Sequence, residues 1–353
     1  MAINGPGQVH AQSIPFDTDL LGLHVLDPAR YPALIESAAD DNHLGRFDML
    51  FAFPGERLQL DATGFLTGFH GSGQTDFLGA FDDWWRELRV PVDRGNVAPF
   101  GGGWFVLLGY ELANEIEPHL ELPADPRQPV AVALRIPVAV IRDRATAAAW
   151  IVAEAGHEAA VENIRGDIER LPGATDAPGR RGASLVEDLR EDDAEPFLRA
   201  VAEAQAHIAA GDIYQANLSR RWTGKLAAGA TAADIYVELR RTNPAPFAGI
   251  LALPGLAVIS SSPERLLRSD AAHVETRPIA GTSPRESGGG DAGGRLALRR
   301  HPKERAEHVM LIDLERNDLG RVCKAGTVDV DEFMTVETYA HVHHIVSNVR
   351  GEL

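Results

Sequence analysis

The chain has 353 residues, 44% hydrophobic and 24% charged, proportions that suit a globular protein of one large domain or two ordinary ones. Its 34 Lys and Arg against 51 Asp and Glu leave a net charge of −17. That balance argues against a nucleic-acid or anionic-membrane surface and admits an anionic substrate only where Arg, backbone N–H groups or a metal reverse the field locally. The first twenty residues lack the features of a signal peptide, no apolar run approaches the roughly 18 residues of a membrane span, and the one cysteine, Cys323, cannot form an internal disulfide, so a cytoplasmic protein is expected.

In chain order, short apolar runs at 47–54, 104–112 and 148–155, separated by Gly, Pro and Asp, predict strands. The run 130–141, broken by Arg135 and Pro137, also reads as strand. Two amphipathic stretches, 30–40 and 76–90, predict helices packed on that sheet. Gly101, Gly102 and Gly103 precede a strand rather than a helix and so make no phosphate cradle. Residues 171–192, rich in Pro, Gly, Ala and charge, read as a linker between a domain at 1–170 and a second at 193–353.

Beyond the linker, Phe197, Val201, Ala204 and Ile208 form one helical stripe in 194–212, with Gly211 at the C-terminal cap. A strand over 213–222 follows. Two apolar runs around Pro254-Gly255 predict a hairpin over 247–262, continued as an antiparallel meander through Leu266, Leu267 and the segment 274–279. The glycines of 288–294 indicate a flexible loop, a helix restarts at Pro302 and runs through 318, and 335–353 returns to strand.

Candidate chemistry concentrates late in the chain. Glu304 and Glu307 lie three apart and share a helix face with Leu311 and Leu314, an arrangement open to a half-buried pair that would suit Mg²⁺. Spacing alone favours a solvated acidic face balanced by Lys303 and Arg305. Glu264, after the run 260-SSSP-263, is either a general acid with its pKa raised by apolar neighbours or the partner of Arg265 or Arg268. His341 and His343 fall on one face of a strand and His344 on the other, so the three do not converge on zinc, and one of them as an acid–base or orienting group is the better reading. Cys323, with no base beside it, reads as a half-buried strand or loop residue. Serine-hydrolase, P-loop and zincin motifs do not occur.

The succession IYQANLSRRW, NPAPFAGIL, SSSPERLL, VETRPIAGT, KERAEHVMLIDLERNDLGRV and HVHHIVSNVRGEL closely resembles the chorismate-utilising enzymes, strongly over 190–353 and more weakly before it. The resemblance implies their α+β fold of large, mixed, mainly antiparallel sheets with packed helices, the second domain being the chorismate-binding catalytic one. It implies that Glu307 is a direct Mg²⁺ ligand and Glu304 a water-mediated one. Glu264 then assists departure of the C4 hydroxyl, Gly281 and Thr282 contact the substrate, and His344 lies near the ring. Gln215 stands where the water-using members carry a lysine that activates water; a neutral amide cannot do so, which favours an amine-transferring member.

Within the family, IYQANLSRRW, NPAPFAGIL and RFDMLFAFP look more like the aminodeoxychorismate-forming members than the anthranilate-forming ones. The expected reaction is therefore chorismate plus ammonia to 4-amino-4-deoxychorismate, with ammonia from a glutamine amidotransferase subunit. The alternatives are anthranilate formation and a non-catalytic relative. Ala280 dissents: some aminodeoxychorismate-forming members carry there a lysine that attacks C2 of the ring. The stretch 31–41 resembles a tryptophan-pocket segment, with Ser37 at the contact position and Arg46, Phe47, Asp48, Pro246 and Phe247 as companions, and bound tryptophan is expected as a relic that does not regulate. Family members also continue about a hundred residues further, with a second carboxylate pair, so the catalytic domain is expected to be incomplete and the chain inactive alone.

Overall fold

The computed structural model describes residues 9–39, 45–69, 76–89, 99–171, 184–270, 272–285 and 291–353. The chain begins with β1 (Val9–Ile14), α1 (Leu20–Leu26), β2 (Ala33–Glu36), β3 (Phe47–Ala52), β4 (Arg57–Leu60) and β5 (Leu66–Gly68). There follow α2 (Phe77–Leu88), β6 (Gly103–Leu108), α3 (Ala113–Ile116), β7 (Ala131–Ile136), β8 (Val138–Asp143), β9 (Ala148–Glu154) and α4 (Glu158–Arg170). The middle holds β10 (Val186–Glu191), α5 (Ala194–Ala210), β11 (Trp222–Leu226) and α6 (Ala232–Thr242). Five strands come next: β12 (Phe247–Leu253), β13 (Leu256–Ser262), β14 (Arg265–Ser269), β15 (His273–Arg277) and β16 (Ile279–Pro284). The last elements are α7 (Asp291–Arg300), α8 (Pro302–Gly320), β17 (Asp329–Thr338) and β18 (Val342–Glu352).

Two compact units result, one of Met1–Ala177 with Glu238–Leu353 and the other of Pro178–Val237. In the larger, one sheet runs β1-β9-β8-β3-β2-β12-β13 and a second runs β5-β4-β7-β6. Pro137 explains why one apolar run serves both: without an N–H it breaks the ladder between β7 and β8. Val132, Leu134 and Ile136 of β7 pack with Ala33, Phe51, Ile141 and Val152 of the seven-stranded sheet. Ala131 and Ala133, on the other face of β7, pack against Phe77, Ala80 and Trp84 of α2. That alternation is the period-2 signature of a strand buried on both faces.

A third sheet of the larger unit holds β14-β15-β18-β16, with β17 also paired to β18. All pairings among the described strands are antiparallel. Helix α8 packs its Ile312 and Leu319 on Val274 and Val349, while Leu298 of α7 packs on Met334 and Ile345. The smaller unit holds the β10–β11 ribbon and α5, whose end is capped by Gly211 at φ 82°. The α+β class, with mainly antiparallel sheets and packed helices, is the one expected.

Several local expectations change. The stretch 30–40 is not a helix: Ala33–Glu36 is a strand between β3 and β12, with apolar residues on both buried faces that mimic an amphipathic pattern. Residues 76–90 do contain a helix, started by Asp76, whose carboxylate accepts from the Gly79 N–H. Of the strand expected over 213–222 only Trp222 is extended pairing, because the partner β10 meets Trp222–Leu226. Of the 288–294 loop, 288–290 lie outside the described residues and Asp291 opens α7, the helix-forming LALRR outweighing two glycines. Part of the expected linker is strand β10, and β12 and β13 join the N-terminal sheet, so the compact units do not follow the 171–192 boundary. The segment 335–353 is two strands, joined by a turn at 339–341.

Trp84 anchors the α2 layer. Fully buried, it stacks on Phe69 at 5.1 Å and meets Trp104 edge-on at 5.6 Å. Trp84→Ala should therefore lower the unfolding free energy by about 3–5 kcal/mol, read from urea denaturation.

Candidate active site

The residues singled out from the sequence meet at four consecutive positions, Ile279 to Thr282. The β16–β18 register shifts between Ile279 and Thr282, which releases the intervening backbone from the ladder. Gly281 has φ 92°, and a Cβ there would lie 2.9 Å from Ile345 Cδ1 and 3.2 Å from Glu304 Cβ, so only glycine passes between the sheet and α8.

Each of the four residues makes a distinct contact. The Ile279 N–H donates to Glu264 Oε1 at 2.9 Å. The Ala280 carbonyl lies 3.1 Å from His308 Nδ1. Gly281 abuts Glu304. Thr282 Oγ1 is 2.8 Å from His344 Nδ1. Glu264 itself sits where β13 of the seven-stranded sheet crosses to β14 of the third sheet.

Neither earlier reading of Glu264 survives unchanged. The residue is exposed rather than wrapped in apolar neighbours, and Arg265 and Arg268 both turn to Glu275, at 3.1 and 3.0 Å. Glu304 and Glu307 are half-buried, one turn apart at the start of α8, where the helix dipole favours negative charge. Leu311 shares their inward side, whereas Leu314 is 54% exposed and does not.

His344 pairs with Thr282 on one strand and with Glu337 on the other. Burial pushes its pKa below the ordinary histidine value, against the pull of the Glu337 carboxylate and with a smaller push from His343. The three late histidines do diverge. His343 is buried and bonded to Thr338 Oγ1, while His341 Nε2 lies 2.6 Å from the Thr242 carbonyl. Among the described residues no group of three or more His, Cys, Asp or Glu side chains is set to hold a metal ion.

Gln215 belongs to the smaller unit, where it is exposed and its amide donates to Asn217 Oδ1 at 3.5 Å. The residues expected to form a tryptophan pocket lie on or beside neighbouring strands of the N-terminal sheet. Ser37 N–H donates to Asp48 Oδ1 at 3.2 Å, and Ala38 N–H donates to the Ala245 carbonyl next to Pro246 and Phe247. The fully buried Asp48 accepts from Arg144 at 3.0 Å and from Arg142 at 3.5 Å. Arg46 pairs with Asp143 and lies over the Phe47 ring.

Two residues escaped the sequence reading. His308 is fully buried, its Nε2 2.7 Å from Ser347 Oγ, which also accepts from the Met334 N–H. With Nδ1–H donating to the Ala280 carbonyl, the neutral ring pins the turn to α8. Glu315, eight residues and about two helical turns after Glu307, stands near Thr276 and Glu264. Its carboxyl is pushed above the usual range by burial and by the charges of Asp318 and Glu264, against a hydrogen bond from Thr276. The i, i+4, i+8 spacing from Glu307 through Leu311 was the available signal for it.

Comparison with known proteins gives the fold a family. A family model described as chorismate binding enzyme matches residues 57–353. The chain belongs to that family. Aminodeoxychorismate synthase component 1 of Bacillus subtilis is 36% identical over 287 residues, covering 79% of this chain and 60% of that protein. Anthranilate synthase component 1 of Streptomyces coelicolor is 40% identical over 277 residues, covering 72% of this chain and 53% of the relative. The crystal structure of anthranilate synthase component I from Streptococcus pneumoniae superposes with a TM-score of 0.74 at 25% identity, covering 89% of this chain and 70% of that one. The chain thus spans a little over half the length of these two curated relatives.

Burial holds the His308 pKa below its ordinary value, the Ala280 hydrogen bond opposing. Its stabilising contribution is then complete above about pH 6.5 and is lost as pH falls toward the depressed folded value, since the unfolded chain takes the proton first. Urea midpoints measured from pH 7 to 5 should fall more steeply for the wild type than for His308→Gln.

Proposed function

We propose that this protein is the chorismate-converting component of an aminodeoxychorismate synthase, joining ammonia to chorismate to give 4-amino-4-deoxychorismate. The observation that carries this reading is the meeting of Glu264, Glu304, Thr282 and His344 on one four-residue turn. The likeness to the Bacillus subtilis aminodeoxychorismate synthase and the motifs NPAPFAGIL and RFDMLFAFP support the choice of product.

The two carboxylates at the start of α8 suit Mg²⁺ by donor chemistry, since oxygen ligands on half-buried acids match a hard cation. Glu307 would bind it directly and Glu304 through water, and the ion would neutralise a substrate carboxylate. The other roles fall to the chain itself. Glu264, oriented through Oε1 by the Ile279 N–H, keeps Oε2 to deliver a proton to the departing C4 hydroxyl. Glu315 lies near it, its carboxyl pushed upward by burial and by the charges of Asp318 and Glu264. Gly281 and Thr282 hold the substrate, and the His344 imidazole, its pKa lowered by burial, faces the ring uncharged at neutral pH. Gln215 supplies no base for water. Ammonia comes from a glutamine amidotransferase partner; Cys323 is half-buried in the bend after α8, with no base beside it in the sequence. The cluster around Ser37 and Asp48 holds tryptophan as a structural relic, the Asp48 charge being balanced by Arg142 and Arg144.

Ala280 favours a second reading, anthranilate synthase. Only 6% exposed, it offers no nucleophile of its own, so the attacking group would have to be external. Incubation of the full-length protein with chorismate, Mg²⁺ and ammonium separates the two products. 4-Amino-4-deoxychorismate, converted by an added lyase to 4-aminobenzoate, and an unmodified protein mass without ammonia are expected; fluorescent anthranilate as main product would select the second reading.

Substitutions in the two carboxylate roles should fail differently. Glu307→Gln should raise the Mg²⁺ concentration needed for half-maximal rate. Glu264→Gln should leave that titration in place and lower kcat by about 10²-fold. Superimposable Mg²⁺ titrations would reject the division of roles.

A further inference from the structure

Beneath His344 lies a charged relay that the proposed chemistry does not use. Glu337, opposite His344 in the β17–β18 register, has both carboxylate oxygens engaged. Its Oε1 accepts from Arg277 Nη2 at 2.6 Å, and its Oε2 accepts from the Tyr339 hydroxyl at 2.5 Å. Arg277 is only 4% exposed and is held from its other side by Glu332, at 2.5 and 3.1 Å. The Tyr339 ring in turn lies against the His344 ring, centroids 5.5 Å apart and planes tilted by 59°.

We propose that Glu337 is a positioning residue for His344: anchored by Arg277, it fixes the Tyr339 ring as a wall behind the imidazole and so holds Nδ1 on Thr282. The inference deepens the proposed function and rests on it for the meaning of His344, though not for the contacts themselves. Their logic is geometric. Thr282 on β16 holds Nδ1 at 2.8 Å, and the Tyr339 ring packs against the imidazole as a second constraint. Without a second constraint the imidazole would turn about its side-chain bonds, and a single hydrogen bond does not prevent that. Arg277 supplies the rigidity: a guanidinium buried between two carboxylates cannot move without breaking charge-assisted bonds on both sides.

The carboxylate also acts on the imidazole electrostatically. Among the described residues, the charged and titratable groups facing His344 are Glu337 on β17, Tyr339 in the following turn and His343 on its own strand, with Arg277 of β15 behind Glu337 and no charge on Thr282 of β16. Of these Glu337 favours the protonated ring, while burial and His343 oppose it.

The test is NMR of the full-length protein with ¹⁵N-labelled histidine, alongside its steady-state kinetics. In Glu337→Gln the His344 titration midpoint should move lower and its ring ¹⁵N shifts should change. Glu337→Asp should bring both back toward the wild type. In the kinetics, kcat for chorismate should fall by roughly tenfold while KM stays within about twofold, the mark of lost orientation rather than lost binding. If Glu337→Gln does not fold, Tyr339→Phe carries the test: removing the anchoring hydroxyl should change the His344 ring ¹⁵N shifts. Chorismate consumption with an unmoved His344 titration in Glu337→Gln, or unmoved ring shifts in Tyr339→Phe, would overturn the positioning role and leave the proposed function standing. A moved titration in a protein that never consumes chorismate would uphold the role and remove the proposed function.

Discussion

The arrangement of the candidate site depends on one backbone constraint, the left-handed Gly281 inside a strand. A regular β16 would pair every residue with β18 and point side chains alternately to fixed faces. The register shift at 280–281 instead sends four successive residues to four different contacts. One reaches the crossover between sheets, one the middle of α8, one the start of α8 and one β18. A Cβ at 281 would push the sheet off α8 by its contacts with Ile345 and Glu304, so the glycine holds the carboxylates near the turn as well as allowing the turn.

Helix α8 carries two loads at once, and its composition reflects both. Ile312 and Leu319 anchor it to the sheet, while Glu304, Glu307 and Glu315 line up beside or between those apolar anchors. His308 reconciles the two: an apolar residue there would leave the Ala280 carbonyl and the Ser347 hydroxyl without their ring partner, and unsatisfied buried polar groups cost about 1–3 kcal/mol each. The sheet is correspondingly two-faced. Ile345, Ser347 and Val349 of β18 face the helices, whereas His344, Asn348 and the side chains paired with them form a lattice of charge with Arg265, Arg277, Glu275 and Glu332.

Much of this was legible in the sequence, and the parts that were not share a cause. The order of motifs located Glu264, Gly281, Thr282, Glu304 and His344, because each sits in a run whose residue types are set by close contacts. Periodicity failed where burial differed from the half-buried case it assumes. The strand at Ala33–Glu36 is covered on both faces and so looked helical. The 213–221 stretch alternates without meeting a neighbouring strand in β10. His308 was overlooked because it follows Glu307 directly, and a buried histidine in a charged helix leaves no pattern. Gln215 was read from its motif alone, and the geometry of its own unit gives it only the Asn217 contact.

Charge remains the organising difficulty for an acidic chain that would take an anionic substrate. Glu264 and Glu304 touch the turn and Glu307 and Glu315 lie further along α8, while Arg277 is committed to Glu332 and Glu337, and Arg265 and Arg268 to Glu275; the exposed Arg305 of α8 donates to the Arg299 carbonyl. Paired arginines are poor candidates for binding a further anion, since freeing one would strand a carboxylate with little solvent to relieve it. Burial first, and the charges of Asp318 and Glu264 after it, push the Glu315 carboxyl above its usual range, so a further anion beside it would meet the same resistance. Under the proposed reading a divalent cation held by Glu304 and Glu307 would offset that repulsion, since hard oxygen donors suit a hard ion, and cation and carboxylate substrate would then depend on each other for binding by linkage.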